Sequence, residues 1–227
     1  MQVKILEHTP NPERLVAAAA KLCYSSSPVD KIMENLTDEA VEKLLTKLVD
    51  MGHESPLEHA SFTFGIDGVS RALSHQLVRH RIASYSQKSQ RYVSECEFDY
   101  VIPPFIADDP DDKEDFKDVM YEINFAYSQL VLKLIAAGRT KEQAQEDARY
   151  VLPGACTTSI VCTMNVRTLL HFFNKRCCNR AQWEIREMAE QMLKQCKQIA
   201  PILFKNAGAP CVSGSCPEGE MSCKEGK

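Results

Sequence analysis

Residues 79–92, RHRIASYSQKSQRY, hold three arginines, one histidine, three serines and two glutamines. A folding core has no use for such a run, because unpaired guanidinium groups are costly to bury. A site that grips phosphates and a polar heterocycle needs this chemistry. Arginine offers a planar fork of donors for phosphate, while serine and glutamine pair with ring edges. No acidic residue lies between Arg71 and Ser94 to neutralise these cations locally. The run therefore reads as a nucleotide or phosphorylated-cofactor site. The plainer alternative is a solvated helix end whose arginines favour the C-terminal dipole.

Composition narrows the ligand. The 227 residues carry a net charge of −4, with 44% hydrophobic and 26% charged residues. This is an ordinary soluble composition, large enough for one substantial core. A positive island on a mildly acidic chain suits a small anion better than a general nucleic-acid or membrane surface. No apolar stretch approaches the ~20 residues of a membrane span, and the start MQVKILEHTPNPERL lacks a signal-peptide pattern. A cytoplasmic location is expected, with no nucleic acid and no membrane among the partners. Seven of the ten cysteines, Cys23 to Cys196, fall in segments that read as folded, and most of these read as small buried hydrophobes.

The elements that must position the basic run follow from periodicity. A short strand is expected around Val3–Leu6, then a helix from Asn11-Pro12 through Val16–Leu22. Thr37 caps a helix with Val41, Leu44, Leu45, Leu48 and Val49 at helical spacing, and Gly52 ends it. Residues 60–66 alternate as a half-buried strand. A helix over 70–80 would put Gln76, Arg79 and His80 on one face, with residues 81–91 in a loop. A strand is expected over 92–102 and an acidic loop over 106–113. Helices are expected over 116–137, from Thr140 with a Gln143 capping box to about 150, over 165–176, and over 182–199, with a strand over 155–164. One α+β domain, its mixed or antiparallel sheet flanked by helices, covers 1–205. A flexible cysteine-bearing extension covers 206–227.

Arg79-His80-Arg81, seven residues and Ser89, then Gln90-Arg91-Tyr92, resembles the signature of flavin-dependent thymidylate synthases. Three further stretches are similar to the same family: His53-Glu54-Ser55-Pro56-Leu57-Glu58-His59, Ala148-Arg149-Tyr150-Val151-Leu152-Pro153, and Asn165-Val166-Arg167 leading to Arg176. The resemblance runs from about Val3 to Ile202. It implies a methyltransferase that makes dTMP from dUMP. It also implies FAD as hydride carrier, methylenetetrahydrofolate and NADPH as co-substrates, and a homotetramer with active sites shared between subunits.

The resemblance assigns residues as well. Gln76, Leu77, Val78, Arg79 and Arg149 would contact the nucleotide, joined by Gln87, Lys88, Ser89, Gln90 and Arg91 of a neighbouring subunit. Ser55, Arg79, His80, Arg81, Gln87, Asn165, Val166, Arg167 and His171 would contact FAD. Arg176 would sit beside the uracil and favour ionisation at N3, a catalytic role suited to a fixed guanidinium. No G-x-G-x-x-G follows a strand, so the FAD phosphates would fall to side chains such as Arg79, Arg81 and Arg167.

Other features carry weaker readings. Ser89 could be a nucleophile, but serine needs an adjacent base, and the family favours a ligand-binding serine. His53, Glu58 and His59 do not form H-E-x-x-H, and Pro56 interrupts a helix there, so no metal is expected. Glu58 is as well suited to capping, or to pairing with an arginine. Trp183, Ile185 and Met188 read as core and interface. Arg180 stands where relatives often carry histidine. Cys211-x4-Cys216-x6-Cys223 does not match common zinc spacings. The alternatives left open are a flavoprotein acting on another nucleotide and a non-catalytic nucleotide- or RNA-binding module.

Overall fold

The structure is a computed structural model describing residues 1–223. Four strands, β1 (Gln2–His8), β2 (Ser61–Ser70), β3 (Ala83–Gln87) and β4 (Thr157–Asn165), form one sheet in the order β1-β2-β4-β3. The hydrogen bonds fix its sense. Thr9 N–H donates to Ser61 O at 2.9 Å where β1 ends and β2 begins. Arg71 N–H donates to Cys156 O, and Val166 N–H to Ala60 O, both at 2.9 Å, so β2 and β4 run oppositely. Lys88 N–H donates to Ser159 O at 2.9 Å and Thr168 Oγ1 to Ile82 O at 3.4 Å, which sets β3 antiparallel to β4. The fold is α+β, as expected, and the sheet is antiparallel.

The helices are α1 (Pro12–Leu22), α2 (Val29–Asn35), α3 (Asp38–Asp50), α4 (Arg71–Leu77), α5 (Pro104–Ala107), α6 (Pro110–Ala136), α7 (Lys141–Ala148), α8 (Val166–Arg176) and α9 (Trp183–Ile199). Their limits are chemical. Thr37 Oγ1 accepts from Ala40 N–H at 3.2 Å to start α3. Gly52, at φ 68, lets the chain turn out of that helix, so that His53 N–H reaches Leu48 O at 3.0 Å. The Thr140–Gln143 capping box opens α7.

Four sequence expectations are corrected. The segment 83–87 is a strand, because Ala83, Tyr85 and Gln87 are half-buried while Ser84 and Ser86 face water. The alternation is there, but small polar residues hide it. The helix expected over 70–80 stops at Leu77, so Gln76, Arg79 and His80 do not share a helical face. The segment 92–102 is no regular strand and makes only an isolated antiparallel bridge from Tyr100 to Cys156. The acidic 106–113 segment is largely helical: Asp109 Oδ1 accepts from the Asp111 and Asp112 N–H groups at 2.9 and 3.1 Å, starting α6 at Pro110.

The chain divides into two compact units. The first comprises Met1–Gln2, Ile66–Arg79 and Ser86–Ile160, and the second comprises Val3–Gly65, His80–Tyr85 and the chain from Val161 onward. The first has a core in which Tyr127 and Val131 of α6 meet Ala144 and Ala148 of α7, beside a second cluster of Phe98, Met120 and Cys156. The second is built on aromatic contacts. Phe204 lies edge-on to Phe62 at 5.6 Å and to Phe173 at 6.0 Å. Ile185, Met188 and Met192 of α9 are fully buried, as expected of a core helix. Gln195 of α9 also accepts from Ile5 N–H at 2.9 Å and donates to Val3 O at 3.0 Å, covering part of the outer edge of β1.

Candidate active site

In the first unit the polar run is anchored to β4. Lys88 continues the β3–β4 pairing, Gln87 Nε2 donates to Thr158 Oγ1 at 3.3 Å, and Arg71 donates to Lys88 O at 3.3 Å and Thr158 Oγ1 at 3.4 Å. Behind them lies Glu95, only 3% exposed. Lys88 Nζ is 3.2 Å from its Oε1 and donates to its Oε2 at 3.4 Å. The nearer oxygen is badly aligned for a hydrogen bond, so the pair is chiefly Coulombic. Burial pulls the Arg71 pKa down, Glu95 opposes this, and the positive charge of Arg149 reinforces it. Arg71 and Arg149 therefore sense one another as like charges.

The rest of the run is fixed locally. Gln90 is buried, with Nε2 donating to Cys156 Sγ at 3.7 Å. Ser89 Oγ accepts from Arg91 N–H at 3.2 Å. Arg91 pairs with Glu146 at 3.0 Å and lies over the Tyr92 ring at 5.4 Å. Gln76 and Leu77 end α4, Val78 and Arg79 follow exposed, and Arg149 opens a 3₁₀ turn after α7. The structure thus gathers Gln76, Leu77, Val78, Arg79, Gln87, Lys88, Ser89, Gln90, Arg91 and Arg149 in one unit.

Ser55, His80, Arg81, Asn165, Val166, Arg167, His171 and Arg176 fall in the second unit. Asn165 caps α8, its Oδ1 accepting from Thr168 N–H at 2.8 Å. Val166 is buried, while Arg167 projects from the first turn of the helix. Arg167 donates from Nε to Glu54 at 3.1 Å and from NH1 to Glu58 at 2.5 Å, and these carboxylates hold its pKa above the ordinary value. The arginine-pairing reading of Glu58 describes what it does here. Ser55 opens the 3₁₀ turn that carries Glu58.

His80 and Arg176 meet at the other end of α8. Arg176 Nε donates to His80 Nε2 at 2.9 Å. His80 is edge-on to Phe172 at 4.9 Å and lies 6.3 Å from His171. Its carbonyl accepts from Tyr85 OH at 2.8 Å. Burial, then Arg176 and then His171, push the His80 pKa down to about 4. At neutral pH the ring is uncharged, and its Nε2 must be the bare acceptor nitrogen. Ile82, two residues on, holds a left-handed φ of 65 and is 81% exposed.

Beyond Arg176, a cavity of about 250 Å³ is lined by Cys178, Arg180, Cys211, Cys216 and Cys223, among others. Arg180 pairs with Glu218, and Asn179 Nδ2 donates to Cys223 Sγ at 3.8 Å. Ala207 and Ala209 are buried. The extension from residue 206 thus has contacts of its own as far as residue 223; residues 224–227 lie outside the described part. Among the described residues no group of three or more His, Cys, Asp or Glu side chains is arranged to hold a metal ion.

The donor set fits an anionic cofactor with a conjugated ring. The second unit offers an exposed arginine at a capped helix start, Arg81, and two imidazoles at the other end of the same helix. Sequence reasoning missed Glu54, Glu95 and Glu146 as the carboxylates that hold Arg167, Lys88 and Arg91. Nothing in local spacing pairs residues 54 and 167.

Comparison with known proteins decides the relationship. A family described as thymidylate synthase complementing protein matches residues 4–202. Flavin-dependent thymidylate synthases of Clostridium tetani and Geobacter sulfurreducens are 54% and 50% identical, each over 98% of this chain and 93% and 94% of their own lengths. The chain belongs to the flavin-dependent thymidylate synthase family. The Thermococcus kodakarensis member is 42% identical over 97% of the chain and 91% of its own length. As a member of this family the chain is an enzyme. Among the described residues no helix is long and apolar enough to cross a membrane.

Proposed function

We propose that this enzyme converts dUMP to dTMP, taking the carbon from methylenetetrahydrofolate and reducing equivalents from NADPH by way of FAD. The reaction balances as dUMP, methylenetetrahydrofolate, NADPH and a proton giving dTMP, tetrahydrofolate and NADP⁺. The observation that carries this reading is Arg176, a half-buried guanidinium held by an uncharged imidazole in a chain that retains the RHR…Ser-Gln-Arg run.

Arg79, Arg149 and the Gln87–Arg91 segment supply a phosphate clamp and ring-edge donors and acceptors, which suits a nucleoside monophosphate. Gln76, Leu77 and Val78 line the same end of α4. Arg176 stabilises negative charge as the uracil N3 proton leaves, and this raises electron density at C5 so that it can take up the one-carbon unit. Ser89 acts as a ligand to the nucleotide rather than a nucleophile. Ser55, His80, Arg81, Asn165, Val166, Arg167 and His171 hold the flavin, with Arg79 and Gln87. Bound FAD, once reduced, supplies the hydride. The working form is a cytoplasmic homotetramer in which Gln87–Arg91 serve a neighbouring subunit's nucleotide.

Release of tritium from [5-³H]dUMP by the purified protein with folate, FAD and NADPH tests this. A yellow preparation whose flavin spectrum shifts on adding dUMP, with tritium released at the rate dTMP forms, is expected. A colourless protein that binds nucleotide without turnover would establish a binding module instead.

A further inference from the structure

We propose that Arg71 is a further phosphate-binding residue, which grips the phosphate of the nucleotide together with Arg149. This role rests on the dUMP reading above and adds a residue to it.

Arg71 and Arg149 stand on two segments laced together by backbone hydrogen bonds. Arg71 opens α4, and Arg149 opens the 3₁₀ turn that leads through residues 152–156 into β4. Arg71 N–H donates to Cys156 O at 2.9 Å and Ala72 N–H to Gly154 O at 3.0 Å. Both arginines are half-buried. Arg14, Arg91, Arg139, Arg167 and Arg180 each have a carboxylate within reach. Among the described residues, neither Arg71 nor Arg149 makes such a pair.

Arg71 spends one nitrogen, and spends it on neutral oxygens. Its NH1 donates to Lys88 O at 3.3 Å and to Thr158 Oγ1 at 3.4 Å. Both bonds are long beside the roughly 2.7–2.9 Å of a guanidinium on an anion. The Nε and NH2 donors have no partner among the described residues. That edge is the parallel fork that matches two phosphate oxygens. Because NH1 holds the Lys88 carbonyl, the fork is fixed beside the segment 87–91 assigned to the nucleotide.

The charges call for a dianion. Burial lowers the Arg71 pKa most, and the positive charge of Arg149 lowers it further, so each guanidinium makes the other more costly. Cys156 and Glu95 act the other way, but Glu95 already faces the Lys88 ammonium at 3.2 Å. Lys88 and Glu95 offset one another, which leaves the charges of Arg71 and Arg149 to be met. A phosphate monoester brings about −1.5 to −2 at neutral pH and meets both. A neutral nucleoside meets neither.

Removing a phosphate contact should cost the phosphate and spare the base. Wild type, Arg71→Gln and Arg71→Lys, each loaded with FAD, are compared by equilibrium dialysis against tritiated dUMP and tritiated deoxyuridine, with folding checked by urea denaturation. Arg71→Gln should weaken dUMP binding roughly 10- to 100-fold and deoxyuridine binding by less than about threefold. Arg71→Lys keeps the charge without the fork, so it should fall between the two for dUMP and match wild type for deoxyuridine. Equal weakening of both ligands would make Arg71 only an anchor for Lys88 and overturn the proposal. Wild-type dUMP affinity in the variants would overturn it as well. If Arg71→Gln does not fold, the two dialyses of Arg71→Lys decide alone. A wild type that binds dUMP no better than deoxyuridine would defeat the dUMP reading itself, and this role with it.

Discussion

Arg167 donates to Glu58 at 2.5 Å from the first turn of α8, and the same guanidinium reaches Glu54 at 3.1 Å. Two acids therefore stand where the proposed flavin pyrophosphate needs a cation. All three side chains are about half exposed, so the pairs contribute little to stability and respond to salt.

Removing the competition should strengthen flavin binding. Glu54→Gln and Glu58→Gln are each expected to tighten FAD binding about threefold to tenfold at low salt, with the gain shrinking as salt rises. Titration of apoprotein with FAD by flavin fluorescence checks this. Weaker binding in both variants would mean that the acids aim Arg167 rather than compete for it.

Ile82 raises a separate energetic question. A β-branched residue at φ 65 is strained by roughly 1–2 kcal/mol. Its side chain is 81% exposed, so little burial in the chain itself offsets that cost. Ile82→Gly, which accepts this φ freely, should raise stability by up to about 1 kcal/mol in chemical denaturation. A loss of stability would show that Ile82 is buried in the assembled enzyme.

These two cases show what was and was not legible in the sequence. Elements with a strong apolar period (α3, α8 and α9) and those opened by a cap, as at Thr37, Thr140 and Asn165, follow directly from the residues. Strand β3 was hidden because its buried face is Ala83, Tyr85 and Gln87, not a row of large aliphatics. The start of α6 was masked because Asp109, its cap, sits among other acids. Within the site, the residue types pointed to anion binding, but their partners did not. Arg167 with Glu54, and Arg176 with His80, are joined across 113 and 96 residues of chain. Only the antiparallel sheet and the placement of α8 bring such pairs together. The strain at Ile82 has no sequence signal at all, since isoleucine argues against a left-handed backbone.

The depressed pKa of His80 makes a pH prediction whose sign is fixed. In the unfolded chain the ring titrates near 6.5, and in the folded chain near 4. Between these values the unfolded form binds a proton that the folded form refuses, so stability falls as pH drops from 6.5 toward 4. The His80 contribution is constant above about pH 7 and flat again below about pH 3.5. The denaturation free-energy difference between wild type and His80→Gln should follow that curve. A difference independent of pH from 7 to 4 would show that the imidazole is not held neutral.

Arg176, bonded to His80, and Arg81, next to it in the chain, should fail differently. Arg176→Ala is expected to cut turnover by about 10²- to 10³-fold, the scale of losing a preorganised charge stabiliser, while flavin stays bound. Arg81→Ala should lose flavin on gel filtration and regain turnover as FAD is added. Normal turnover in Arg176→Ala would remove the N3-ionisation role altogether.

Glu95 tests whether the nucleotide segment is set by what lies behind it. Its carboxylate is 3% exposed and faces Lys88, while its own N–H donates to Tyr127 OH at 3.4 Å, tying it to the α6–α7 core. Glu95→Gln keeps the shape and removes the charge, leaving Lys88 without its counter-ion. Complete loss of a fully buried partner costs about 3–5 kcal/mol, but Lys88 is about a third exposed and can turn to water, so roughly 1–2 kcal/mol is expected. The larger effect should be on the substrate. With Lys88 no longer held against Glu95, the Gln87–Arg91 backbone loses an anchor, and KM for dUMP should rise about tenfold while flavin content is unchanged. An unaltered KM together with lower stability would make Glu95 a core residue only and would detach the nucleotide segment from the pair beneath it.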